Sequence, residues 1–240
     1  MKKRILFALS AVLLSAGAFA QTVDEVVNKH IVAVGGMDKI SGIKSVQYEQ
    51  TMSVMGMEMT GKTTAVVGKS SRSDITVMGQ NMVTVIDGES GWMINPMAGS
   101  SDPQPIPAEQ AKFQKSNTEV TGLQLAYAKI NKYPMELVGK EQLNGKDVFN
   151  IKVTRPEATV NFYINAGDYQ LAGTKAVVPV QGQTAEVKAN FSNFKAVEGV
   201  TLPFSITMEA PGAPAPINMQ VTKLTLNPTV DPAIFKMPAK

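Results

Sequence analysis

The 240-residue sequence has no cysteine, a single histidine (His30) and a single tryptophan (Trp92). Without cysteine there can be no disulfide, thiol nucleophile, iron–sulfur cluster or thiolate zinc site, so packing alone must hold the fold. With one imidazole, a hydrolase triad would have to recruit His30. The nearest serine candidate, Ser90 in "GESGW", lacks both the G-x-S-x-G spacing and a following helix. Asp and Glu fall mostly at turns and outward strand positions, where solvation accounts for them. No enzyme activity, cofactor or metal is expected.

A sustained excess of one charge is also missing. The formal net charge of +3 comes entirely from Lys2, Lys3 and Arg4, leaving 20 Lys+Arg against 20 Asp+Glu in residues 21–240. That balance offers no electrostatic footprint for nucleic acid or an anionic membrane. The long apolar run is at the start: a basic n-region, then "ILFALSAVLLSAG", then "AFA" before Gln21. It is short for a spanning helix and reads as a cleaved secretory signal over residues 1–20. No cysteine comes after it to carry a lipid. The expected product is therefore periplasmic, unanchored and without a transmembrane segment, a single domain over 21–240.

The expected mature chain begins with a helix. Thr22-Val-Asp-Glu25 fits a capping box, Val23, Val26, Val27, His30, Ile31 and Val34 form one stripe, and Gly35-Gly36 supplies the stop. The period then changes to two. Residues 43–54, 57–67, 70–78, 81–87 and 90–94 read as successive strands. A Pro/Ser-rich loop, "NPMAGSSDPQPIPAEQ", precedes two helical pieces near 107–114 and 117–130, the second opened by the capping box Ser116-Asn-Thr-Glu119. Strands resume around the hairpin signal Asn144-Gly145. Alternation continues through Val160–Ile164, Ala185–Phe191, Val200–Met208 and 217–226. About eleven antiparallel strands with few helices imply a mainly β chain, one strongly curved meandering sheet with helices on its concave side.

One motif demands a decision. Gly56-Met-Glu-Met-Thr-Gly61-Lys62-Thr63 satisfies the phosphate-loop pattern G-x-x-x-x-G-K-[ST], and Asp87 ends an apolar run some twenty residues later. The chemistry needs a helix starting at Lys62-Thr63, whose N-terminus faces phosphate. Thr63-Thr-Ala-Val-Val67 is instead rich in β-branched residues and stops at Gly68, so the match is a coincidence of a strand.

Thirteen methionines remain beyond the leader. Met55, Met57 and Met59 alternate, and Met78, Met82, Trp92 and Met97 lie on neighbouring segments. Thioethers favour Cu(I), but alternate strand positions are about 7 Å apart and would need help from other strands. His30, on the stripe of the first helix, reads as a packed side chain rather than a ligand. Unbranched, polarizable methionine also makes adaptable apolar walls. Such a wall meets either a guest or the protein's own helices. Met55, Met57, Met59, Met78, Met82, Trp92, Leu123, Tyr127, Phe162, Phe191 and Phe204 are the expected lining of an apolar ligand cavity.

Several stretches in order carry a family likeness. "VDEVVNKHIVAVGGMDKISGIKSVQYEQTM", "DGESGWMINP", "YINAGDYQLAG", "ANFSNFKAVEGVTLPFSITM" and "DPAIFKMP" resemble exported proteins with the outer-membrane lipoprotein carrier (LolA/LolB-like) fold, most of all the Bacteroidetes-type versions. The resemblance implies an open half-barrel of about eleven strands, helices over its mouth, and an apolar cavity between. It also implies a lipid or acylated lipoprotein as ligand, with envelope proteins as donor and acceptor, or else an envelope stress-sensor role. In the carriers an early-strand arginine helps hold the lid. Arg72 lies in a comparable region, but its neighbours do not match the motif and the role is not carried over.

Overall fold

The computed structural model describes residues 21–180, 183–210 and 212–238. The expected signal at 1–20 lies outside them. Helix α1 (Val23–Ala33) starts at the predicted capping box, with Thr22 Oγ1 accepting from the Glu25 amide and the Glu25 carboxylate accepting from the Thr22 amide. After Gly35-Gly36 comes a second helix, α2 (Met37–Gly42), too short for its apolar stripe to register as a period. The rest is strand, with one helical interruption.

The strands are β1 (Ser45–Val54), β2 (Met57–Val66), β3 (Ser70–Val77), β4 (Gln80–Asp87), β5 (Ser90–Asn95), β6 (Ser100–Pro105), β7 (Met135–Leu143), β8 (Lys146–Thr154), β9 (Thr159–Asn165), β10 (Leu171–Val180), β11 (Gln183–Val197), β12 (Val200–Glu209) and β13 (Ile217–Leu226). They form one antiparallel sheet in the order β6-β5-β4-β3-β2-β1-β13-β12-β11-β10-β9-β8-β7, which is open. Thirteen strands replace the expected eleven. The additions have physical reasons. β6 carries Pro103 and Pro105, read as loop, yet an edge strand tolerates proline because only one side needs amides. In β10, Ala176-Val-Val puts apolar residues on both faces and erases the alternation.

Both edges are protected. Proline blunts β6, and β7 has a bulge between Leu137 and Gly139. Further register shifts leave Thr222 of β13 and Ala172 of β10 as extra residues, irregularities that bend a strand.

Between β6 and β7 the chain forms α3 (Ala108–Phe113), a 3₁₀ turn (Gln114–Thr118) and α4 (Gln124–Ile130). The expected capping box at 116–119 does not start a helix. Thr118 Oγ1 instead donates to the Lys115 carbonyl, and α4 begins only after Gly122. α1, α2 and α4 share one core with the sheet: Val26, Val27 and Ile31 of α1, Ile40 of α2 and Leu125 and Ala126 of α4 meet Val46, Phe149, Ile151, Phe162, Ile164 and Leu202. The face carrying those strand residues is the inner face.

Candidate functional site: the inner face of the sheet

Directly opposed residues of antiparallel neighbours point to the same side, so the register assigns every paired strand position to a face. From Val46, the inner face of β1 carries Tyr48, Gln50, Met52 and Val54. Pairing extends this across the sheet. Phe191 opposes Ile206, Ile206 opposes Met219, Met219 opposes Met52, Met52 opposes Met59, and Met59 opposes Val77. The result is an apolar row across six consecutive strands, β11 to β3. Met57 joins it beside Val54, and Ile217 beside Met208. One step nearer the helices runs Val221–Gln50–Gly61–Ile75–Met82, and the next row is Leu224–Tyr48–Thr63–Ser73–Thr84–Met93.

Helices cover the part of this face nearest Val46 and Ala65. The segment 118–122 marks their limit over β1. The Gly68 amide donates to the Thr118 carbonyl, and Tyr48, its phenol pKa raised by burial, lines one small cavity with Val120 and Thr121. At Gly122 (φ +92°) a Cβ would lie 2.5 Å from Pro203 Cδ, so only glycine allows this approach to β12. Val120, Thr121, Pro203, Ile206, Val221 and Leu224 line a cavity of about 10 Å³, room for one water. Beyond that limit Met59, Met82, Phe191, Met208, Ile217, Met219 and Val221 remain half-buried, and Met57 is exposed.

The expected cavity residues are not one wall. Met57, Met59, Met82 and Phe191 share the uncovered inner face. Phe162, Leu123 and Tyr127 lie in the helix-covered core. Burial raises the Tyr127 phenol far above its ordinary range, and its hydroxyl has no partner. Phe204 is buried on β12 with the Lys195 ammonium over its ring. Met55 and Met78 occupy the tips of the β1–β2 and β3–β4 turns, 74% and 76% exposed, and Met97 sits in the β5–β6 connection at the same end. Trp92 belongs to the opposite face: it opposes Val85 and packs with Val83 and Phe235. Its indole Nε1 donates to the Phe235 carbonyl at 2.9 Å, while Arg72 binds Asp74 through two nitrogens and donates to the Ile234 carbonyl. Arg72 therefore fastens the C-terminal tail to the outer face.

The arginine that does hold the helical segment is Arg155, in the turn after β8. It is 6% exposed and donates to Glu119 at 2.9 Å and to the Gln124 carbonyl at 3.1 Å. Burial pushes the Glu119 carboxyl up and Arg155 pulls it back. His30 is fully buried. Its Nδ1 donates to the Tyr169 carbonyl at 2.8 Å, and burial lowers its pKa, which keeps the ring neutral. Among the described residues no group of three His, Cys, Asp or Glu is placed to hold a metal. Gly56 lies in the β1–β2 turn and Gly61-Lys62-Thr63 inside β2, with no helix for a phosphate to meet.

Gln50, Met52, Ile206, Met208, Met219 and Arg155 were missed by sequence reasoning. The alternation of "SVQYEQTMSV" and "INMQV" already places Gln50 with Met52, and Met219 with Val221, on shared faces. Only the register aligns the two strands.

The sequence matches no protein-family model and no curated protein. The fold, by contrast, is similar to solved structures. A LolA superfamily protein from Nitrosomonas europaea superposes with a TM-score of 0.57 at 16% identity, covering 90% of this chain and 98% of that one. A DUF1329 family protein from Desulfovibrio piger gives 0.59 at 13% identity, covering 90% and 98%. A domain named as an outer membrane lipoprotein-sorting protein, from Vibrio parahaemolyticus, gives 0.56 at 13% identity, covering 88% and 94%. At such identities the likeness is one of fold. It does not bear on a Bacteroidetes-type affiliation. Among the described residues no helix is long and apolar enough to cross a membrane.

Proposed function

We propose that this chain is a periplasmic carrier or binding protein for a hydrophobic ligand, a lipid or the acyl chains of a lipoprotein. It acts by reversible burial rather than catalysis, receiving its cargo from one envelope protein and passing it to another. The observation that carries this reading is the apolar row from Phe191 to Val77, which continues past the helices on the inner face. Three of its six residues are methionines on adjacent strands, a surface that adapts to chains of different shape. Burying ten methylenes there would contribute about 8 kcal/mol before ordering costs. The segment 107–130 serves as a lid, and a LolA-like fold supports the assignment.

The test is direct. Protein purified from its native periplasm should release lipid on extraction, detected by mass spectrometry, and the emptied protein should bind N-phenyl-1-naphthylamine with enhanced fluorescence. A protein that carries no lipid and binds no apolar probe is not a carrier. The small size of the cavity beneath the 118–122 segment, about 10 Å³, favours one other reading, an envelope interaction or stress-sensor module whose half-barrel is filled by its own side chains. That module would fail the same probe test. The Met219–Met52–Met59 row also brings three thioethers onto strands roughly 5 Å apart, which keeps Cu(I) as a third reading. A metal titration of the wild type against Met52→Leu decides it.

A further inference from the structure

Gln50 is the anomaly of the inner face. It lies in the second row, flanked by Val221 and Gly61, with Tyr48 on the helix side and Met52 on the open side. It is 4% exposed, yet its amide is almost without partners: Oε1 is buried with none, and Nε2 reaches only the Met52 sulfur at 3.8 Å. Thioether sulfur is a weak acceptor. A buried amide left unpaired destabilises a fold, and leucine or methionine would fill the same position without that penalty.

The strand opposite is shaped to accommodate the amide. Gly61 sits directly across from Gln50, and a Cβ on Gly61 would come within 3.1 Å of Gln50 Nε2 and 3.4 Å of the Met52 methyl. The glycine that completes the false phosphate-loop pattern is thus the floor on which the carboxamide lies. On the open side the amide is covered by Met52, an unbranched side chain able to change rotamer. Turning it aside would expose the N–H donors and the carbonyl oxygen of the carboxamide at the point where the helix-covered and uncovered halves of the face meet.

We propose that Gln50 is the polar anchor of the ligand site, and that the ligand it suits is an acyl chain joined through an amide. This rests on the binding reading above. A carboxamide presents N–H and C=O side by side, and an amide linkage answers both, whereas an ester offers only acceptors. Anchored there, the linkage lies beside the 118–122 segment and the chain extends along the methionine row.

Competition against bound N-phenyl-1-naphthylamine tests it, using N-methyldodecanamide and methyl dodecanoate as competitors of equal chain length. The amide-to-ester affinity ratio of the wild type should exceed that of Gln50→Leu by about tenfold, the worth of one well-made hydrogen bond pair. Gln50→Leu should still bind the fluorescent probe and melt no lower than wild type, and Gln50→Met serves as a second variant should leucine pack poorly. An unchanged ratio in variants that bind the probe would overturn the anchor and leave the carrier intact. Failure of the wild type to bind the probe at all would remove both.

Discussion

Two turns spend backbone energy on a methionine. Met55 and Met78 have φ of +48° and +49°, and each is followed by a glycine at about +79°, the conformation that Asn144-Gly145 adopts in the β7–β8 hairpin. Asparagine suits the left-handed region and methionine does not. Met78→Asn should therefore raise stability by about 1 kcal/mol in urea denaturation. His30 makes the opposite kind of statement. Burial lowers its folded-state pKa below 6.5, so between that lowered value and 6.5 the unfolded chain binds a proton that the folded chain refuses. Its contribution is present above pH 6.5 and is lost as pH falls through the folded value. The urea midpoint of the wild type should drop from pH 7 to pH 5, and His30→Asn should flatten that slope. At this scale the sequence was most informative about roles that depend on local pattern: the stripe position of His30 already marked it as packed. Gln50 gave no such signal, because an inward glutamine in a strand looks like any alternation error until its partner is known.

Among the elements, the helical segment is tied to the sheet by a buried arginine. Arg155 reaches Glu119 and the Gln124 carbonyl from a turn in another part of the sheet, with Glu157 at 3.7 Å. Arg155→Met would strand the Glu119 carboxyl in the interior and should cost about 3 kcal/mol, with faster amide hydrogen exchange in α4 than in α1. Adding Glu119→Gln should recover part of the loss. Element boundaries in the first five strands could be read from alternation and glycine turns to within about two residues. α1 was legible too, from its capping box and Gly35-Gly36, but the start of α4 was not. Ser116-Asn-Thr-Glu119 has the letters of a capping box, but Gly122 comes soon after it, and the approach of that glycine to Pro203 matters more than local propensity. α2, at six residues, lacks the length for a period to show.

For the whole molecule, register was the missing information. Period two tells which residues of one strand share a face and nothing about its neighbour. Trp92 and Met82 both looked apolar and adjacent. The β4–β5 pairing sets Trp92 against Val85 and so places it on the outer face, under the C-terminal tail. The same pairing logic recovered Met52 and Met219 for the inner face.

The sheet order also sets when the molecule can fold. β1, formed almost first in the chain, pairs on one side with β2 and on the other with β13, formed almost last. Each arm, β1 to β6 and β7 to β12, is a local meander that closes hairpin by hairpin, and only the last strand joins them. Until β13 arrives, β1 keeps an open edge, a template for unwanted pairing. Truncation after Pro216 should abolish cooperative urea unfolding rather than merely weaken it, and refolding of the intact chain should be limited by this long-range step. A chain synthesised amino-terminus first therefore keeps its central seam open while β2 to β12 are made, and needs protection there until β13 has come through.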